Sequence, residues 1–334
     1  MAAEGLESRF PMEELSVMGL TEILPRLPNL LRRIRETAAA VVAARPDALV
    51  TIDSPDFCLR VARAARAALP DLRIIHYVAP SVWAWRPGRA RRMARAVDHV
   101  LALLPFEPPY MREAGMTCDF VGHPVVTAPV ATPAEAAAFR AGLGIAERQP
   151  LLLLLPGSRR GEVRGLAPIF AEVTRRLRAA RGDLAVVVPA AAPVADLVAA
   201  GLPPDQGGWP RLLDPRGLAP TEAAARKRAA FAAADLALAA SGTVSLELAA
   251  AGTPMVIAYP VNPLTAFIIR RMARTDTVTL VNIVTDSRVV PEFLAGNCRA
   301  ELIAPAVERL LSDPGAAAAQ RAAEARAMDL LGRG

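Results

Sequence analysis

The chain has 334 residues, 53% of them hydrophobic, and a formal net charge of +6. That length suits two domains, each large enough to bury a core. Alanine inflates the apolar fraction, and no uninterrupted apolar run approaches the ~20 residues of a transmembrane helix, so a membrane-spanning protein is excluded as an expectation.

The start, "MAAEGLESRFPMEELSV", has no basic segment followed by an apolar core and is not read as a signal peptide. Lys227 is the only lysine in the chain; the other Lys/Arg positions are all arginine. The basic surplus suits an acidic partner: nucleic acid, anionic lipid or a phosphorylated substrate. Cys58, Cys118 and Cys298 are far apart in sequence. That spacing suggests neither a zinc site nor a disulfide framework, and a reducing cytoplasm fits.

In chain order, short apolar runs alternate with amphipathic Ala/Arg/Leu stretches, the pattern of a parallel α/β sheet. Strands are expected at 47–53 ("DALVTID"), 73–79, 99–105 and 118–122, with helices at "FCLRVARAARAAL" and "RARRMARAV" between them. The stretch 123–139 holds three prolines and is expected to be an inter-domain connection. A second set of strands is expected at 150–157 ("PLLLLLPG"), 184–190, 236–241 and 255–260, and helices over "APAVERLL" and the Ala-rich tail. The expectation is two α/β domains, 1–130 and 131–334.

Ligands of open α/β sheets bind beyond the carboxyl ends of the strands, so the residues there carry the chemistry. Asp53 closes "ALVTID" as a candidate base or orienting group. Asp56, three residues on, either caps the following helix or joins the site. Gly157-Ser158-Arg159 after "LLLLLP" is either an ordinary polar turn or a set of backbone donors and a guanidinium for a phosphate. Ser241-Gly242-Thr243 after "ADLALAA" is a second small-residue turn opening a helix, with Glu247 four residues past Thr243. Neither a P-loop spacing nor a G-x-G-x-x-G follows any strand, and no G-x-S-x-G elbow occurs. His76, His99 and His123 occur singly, so loop or strand-end hydrogen bonds are expected of them and no metal site. The segment 81–97 sets Trp83 and Trp85 beside Arg86, Arg89, Arg91, Arg92 and Arg95. It is a solvated helix face preceded by core aromatics, a membrane-surface patch, or, less well supported, a nucleic-acid patch.

The motifs "MEELSVMGLTEILPRLP", "IDSPDF", "HYVAPSVWAWRPGRARRMA", "LLPFEPPYM", "FVGHP", "LLPGSRRGEV", "ASGTVSLELA", "TLVNIV" and "VVPEFL", in that order over nearly the whole chain, resemble those of the lipid-A-disaccharide synthase family. The resemblance implies a GT-B architecture, two Rossmann-like domains facing across a cleft. It implies an inverting glycosyltransferase that uses no metal or other cofactor. The implied reaction joins UDP-2,3-diacylglucosamine to 2,3-diacylglucosamine 1-phosphate in a β-1,6 linkage and releases UDP, on the cytoplasmic face of the inner membrane. Asp53, Arg159, Asn282 and Arg288 match family site residues, with "VTDS" one residue longer here than the family's spacer; Ala295 stands where the family has Gln. By the same resemblance Ser241, Gly242 and Thr243 lie under the diphosphate and Glu247 holds the ribose, with Gly157, Ser158, Asp56 and His123 also at the substrates. Trp83, Trp85, Arg86, Arg89 and Arg92 are the expected membrane contacts. The family opens with a strand and a Gly-Glu-x-Ser-Gly-Asp turn, whereas this sequence starts at what matches a later Met. A first domain truncated at its start, poorly soluble and inactive, is therefore expected. The competing readings are another UDP-sugar GT-B enzyme (a lipid II-type transferase or an epimerase) and a non-catalytic basic module for anionic lipid or nucleic acid.

Overall fold

The computed structural model describes residues 5, 7–11, 14–15, 20–84, 88–260 and 275–332, with 20–26 described in backbone only. It divides into two compact units, Met1–Val121 and Gly122–Gly334.

The first unit runs α1 (Leu20–Ala44), β1 (Ala48–Ile52), α2 (Pro55–Ala68), β2 (Arg73–Tyr77), α3 (Gly88–Met93), β3 (His99–Ala102), α4 (Pro108–Glu113) and β4 (Thr117–Phe120). Its four strands pair in parallel in the order β1-β2-β3-β4. Parallel strands need a crossover between them, and the Ala/Arg-rich segments supply it by burying only a small-residue stripe; in α2 that stripe is Leu59, Val61, Ala62 and Ala65. The core joins Leu59, Ala62 and Ala65 to Ile74, Val100, Met93, Met111 and Cys118. On β1, at the sheet's edge, Val50 and Ile52 are exposed.

The second unit contains α5 (Pro133–Gly142), β5 (Leu151–Leu155), α6 (Arg160–Ala180), β6 (Ala185–Pro189), α7 (Ala195–Gly201), β7 (Arg211–Leu213), α8 (Pro220–Ala233), β8 (Leu236–Ala240), α9 (Val244–Ala250), β9 (Met255–Tyr259), α10 (Leu280–Thr285), β10 (Glu292–Leu294), α11 (Ala300–Ser312) and α12 (Pro314–Leu331). Its six parallel strands lie in the order β10-β9-β8-β5-β6-β7. Every residue of β5 ("LLLLL") and β8 ("LALAA") is buried, which is why these strands read as continuous apolar runs rather than alternating ones. An isolated "LALAA" favours helix, and its place between β5 and β9 overrides that preference. The strand order reverses between β5 and β8: the chain walks outward through β6 and β7, then returns to the other side. That is the switch point at which doubly wound sheets open a crevice.

The expected connection over 123–139 is corrected in part. Pro133 is the first residue of α5, where its missing N–H costs nothing, and Thr132 and Glu135 close a reciprocal capping box. The turn at Pro124–Val126 also belongs to the second unit: the backbone N–H of His123 donates to the Leu331 carbonyl of α12 at 3.0 Å.

Candidate nucleotide site

A cavity of about 750 Å³ lies in the second unit at the switch point. It is lined by the turns after β5 and β8, by the loops after β6 and β7, and by Arg226 and Lys227 of α8. A volume of that size falls in the range of small-molecule sites. The cavity brings together Gly157, Ser158, Arg159, Ser241, Gly242, Thr243 and Glu247, seven of the residues expected at the substrates. It also includes Glu162, Arg226, Lys227 and residues 189–192 and 213–215, which the sequence reading missed. The rule that found the two turns also covers the loops after β6 and β7, but the three-residue β7 gave too short a signal.

The two turns differ in what they offer. After β5, Gly157 takes φ +103, and a Cβ there would stand 2.5 Å from the Glu162 carboxylate. That carboxylate accepts from the backbone N–H of Ser158 (3.1 Å) and Arg159 (3.3 Å) and from the Arg159 guanidinium (2.9 Å). The donors expected to meet a phosphate are thus filled by the chain's own anion, a capping arrangement at the start of α6. After β8, Gly242 takes φ +156, and Thr243 caps α9 without a side-chain bond. The N–H groups of Gly242 and Thr243 meet no acceptor among the described residues. Ser245 secures the turn by donating its hydroxyl to the Gly242 carbonyl at 2.9 Å. Glu247 faces the cavity with one oxygen, Oε2, held by Lys227 Nζ at 2.5 Å.

In the first unit, Asp53 and Ser54 follow β1 with φ of +49 and +40, and Val78 follows β2 with φ +79. Left-handed backbone at non-glycine residues, above all at a β-branched valine, is strain that persists where the surroundings impose it and that clusters at functional sites. The Asp53 side chain is exposed with no hydrogen-bond partner among the described residues. Behind it, fully buried His76 sits against Thr51, with Nδ1 and Oγ1 2.7 Å apart. The Thr51 Oγ1 also lies 3.2 Å from the Ile75 carbonyl, and Nε2 of the His76 ring meets no partner among the described residues. Burial pulls His76 down to about 4, and it stays neutral.

Asp56 does not cap α2; the N-cap position is Ser54, and Asp56 pairs instead with Arg89 at 2.6 Å. The membrane contacts need correction as well. Trp83 is 8% exposed and donates its indole N–H to the buried Glu107 at 3.2 Å, so it is a core aromatic and cannot anchor at a surface. Arg89 is committed to Asp56, whereas Arg91, Arg92 and Arg95 are exposed. Trp85 and Arg86 lie outside the described residues.

The remaining expected residues do not line the cavity. Asn282 is fully buried: its amide donates to the Val290 carbonyl (2.9 Å) and accepts from the Val290 N–H (3.1 Å), fixing the loop before β10. Arg288 pairs with Asp276. The His123 ring caps its own turn, accepting from the Val125 N–H at 3.1 Å, and burial lowers its basicity.

Two parallel α/β units, the second with a ligand-sized crevice between two glycine turns at its switch point, give the parallel-sheet architecture of the GT-B fold class. The fold is similar to that of UDP-GlcNAc 2-epimerase from Neisseria meningitidis bound to UDP-GlcNAc (TM-score 0.62, 11% identity, 99% of this chain and 86% of that one). It is also similar to the S. aureus MnaA–UDP co-structure (TM-score 0.61, 13% identity, 97% and 80%). The chain belongs to the lipid-A-disaccharide synthetase family, whose model matches residues 1–333. It is 63% identical to the lipid-A-disaccharide synthase of Ruegeria pomeroyi over 334 residues, covering 100% of this chain and 82% of that protein. It is 49% identical to the one from Rhodospirillum centenum over 320 residues, 95% and 76%.

Proposed function

We propose that the chain catalyses the condensation for which its family is named. UDP-2,3-diacylglucosamine and 2,3-diacylglucosamine 1-phosphate give the β-1,6-linked disaccharide 1-phosphate and UDP, with inversion. The observation that carries the reading is the switch-point cavity, where a turn with open N–H groups and a carboxylate with one free oxygen stand together. The turn at Ser241-Gly242-Thr243 suits the diphosphate, and Glu247 suits the ribose hydroxyls.

In the transfer, O6 of the acceptor attacks the anomeric carbon and loses its proton. The bond from that carbon to the diphosphate breaks, and the electron pair leaves on UDP. Two needs follow: a base for the proton, and donors for the charge gathering on the leaving group. Asp53 is proposed as the base; its carboxylate is exposed, unpartnered among the described residues and carried on strained backbone at a strand's carboxyl end. The backbone donors at 242 and 243 stabilise the departing diphosphate without reorganising.

The experiment is acceptor-dependent UDP release with acylated and unacylated UDP-glucosamine donors. Asp53→Asn is expected to lower kcat by about 10²-fold or more while UDP affinity holds. Near-normal turnover would move the base elsewhere, and UDP release or epimerised donor without acceptor would favour an epimerase.

No helix among the described residues is long and apolar enough to cross a membrane. Acylated substrates lie in a bilayer, so we propose peripheral attachment to anionic lipid at the cytoplasmic face of the inner membrane, with Arg91, Arg92 and Arg95 as the exposed cations. Co-sedimentation with anionic liposomes should fall as salt rises; binding to neutral vesicles that is equally strong in high salt would refute the electrostatic part.

A further inference from the structure

The only lysine of this chain stands in the cavity wall. Lys227 projects from α8 toward Glu247 on α9, twenty residues later in sequence, and its ammonium reaches Oε2 at 2.5 Å. The same ammonium lies 5.1 Å from the centroid of the Phe231 ring, one helical turn further along α8. Phe231 is itself 3% exposed, and its carbonyl accepts from the buried Thr253 hydroxyl at 2.7 Å. The lysine is therefore held from two sides on an anchored turn.

An ion pair with both side chains 43% exposed adds little to fold stability. Its geometry is the informative part. An ammonium is a point donor and takes one carboxylate oxygen; a guanidinium is a planar fork that takes both. Here Oε2 is taken, and Oε1 meets no donor among the described residues. In a chain that otherwise meets every such need with arginine, a fork at 227 would close off both oxygens of Glu247 from the cavity.

We propose that Lys227 is a positioning residue for nucleotide recognition: it fixes the Glu247 carboxylate through Oε2 and leaves Oε1 aimed at a ribose hydroxyl. The inference rests on the reading that Glu247 holds the ribose, and it adds the residue that sets discrimination at the sugar. The ligand class it selects is a ribonucleoside diphosphate over its 2′-deoxy counterpart.

The test is calorimetric titration of the full chain with UDP and with 2′-deoxy-UDP, comparing wild type with Lys227→Met, Lys227→Arg and Glu247→Ala. Glu247→Ala is expected to bring the ratio of the two affinities close to one. Lys227→Met lets the carboxylate swing and Lys227→Arg covers it. Each is expected to weaken UDP by about tenfold, the value of one charged hydrogen bond, with a smaller loss for 2′-deoxy-UDP. Melting temperatures should stay near wild type, which separates positioning from misfolding. If Glu247→Ala loses the preference while either lysine variant keeps the wild-type ratio, this inference falls and the ribose reading stands. If Glu247→Ala keeps the ratio, both fall.

Discussion

Replacing Glu162 with glutamine pits stability against binding, with opposite signs expected. The carboxylate caps the start of the 21-residue α6 and sits on the β5 side of the cavity, the only anion of the Gly157-Ser158-Arg159 turn. Removing its charge weakens the cap by about 1 kcal/mol, which lowers the melting temperature by about 2–4 °C for a unit of this size. The same change removes a like charge from the approach of a diphosphate. At a separation of ~6 Å and an effective dielectric of about 20, one unit of like charge costs about 3 kcal/mol, and exposure and salt reduce that to roughly 1. It also frees the 61%-exposed Arg159 guanidinium, now tied to the carboxylate. UDP should therefore bind about fivefold tighter to Glu162→Gln at low salt, with the gain shrinking in ~1 M salt. Calorimetry at two salt concentrations and a thermal melt complete the measurement. Weaker UDP binding with an unchanged melt would refute the reasoning, because Glu162 would then be accepting a hydrogen bond from the ligand rather than standing in for it.

Gly157→Ala should damage fold and site together: the turn needs φ +103, and the new Cβ would meet the Glu162 side chain, its Oε2 at 2.5 Å and its Cβ at 2.7 Å. A cost of about 1–3 kcal/mol, seen as a lower melting temperature alongside weaker UDP binding, is expected, and a wild-type melt would contradict it. Glu324 is fully buried on α12 with neither oxygen partnered among the described residues, and burial pushes its carboxyl up to about 8. The folded chain keeps that proton where the unfolded chain, titrating near 4.5, has released it, so stability falls as pH rises from 4.5 to 8. Glu324→Gln keeps the shape and cannot ionise. Its melting temperature should exceed that of the wild type by an amount that grows from pH 5 to pH 8; a constant difference would show that the carboxyl does not titrate in this range.

What the sequence made legible was what lies close in the chain. "LLLLL" between two prolines and "MVIAY" after Thr253-Pro254 carry their strand character locally, as do the two small-residue turns that follow β5 and β8. The three-residue strands β7 and β10 gave no pattern to read; pairing with β6 and β9 makes them strands. The helix α5 was missed for a different reason. Its T-P-A-E start is a capping signal, but the three prolines over 123–139 read as a connection. Trp83 shows the limit most plainly. Its basic neighbours suggested a surface patch, and only the fold brings Glu107, 24 residues later, within reach of the indole and Phe106 edge-on to its ring. Glu162 and Lys227 were in view as letters, yet their roles depend on a turn folding back and on two helices lying side by side.

Three acids line the cavity: Asp214 is paired with Arg216, and the two glutamates, Glu162 and Glu247, are paired with the cavity's own cations, Arg159 and Lys227. A site built to hold a diphosphate must gather positive charge, and gathered cations repel one another when no ligand is present. The two glutamates are internal counter-ions that relieve this repulsion. They do so asymmetrically: Glu162 takes the backbone donors as well as the guanidinium, so an anion at that turn would have to displace it, whereas Glu247 gives one oxygen to Lys227 and its other oxygen meets no donor among the described residues. The β8 turn, whose N–H groups at 242 and 243 meet no internal acid among the described residues, is then the place proposed for the diphosphate, because an anion there would meet the least competition. The order of strands dictates this division, since β5 and β8 flank the switch point and one turn comes from each.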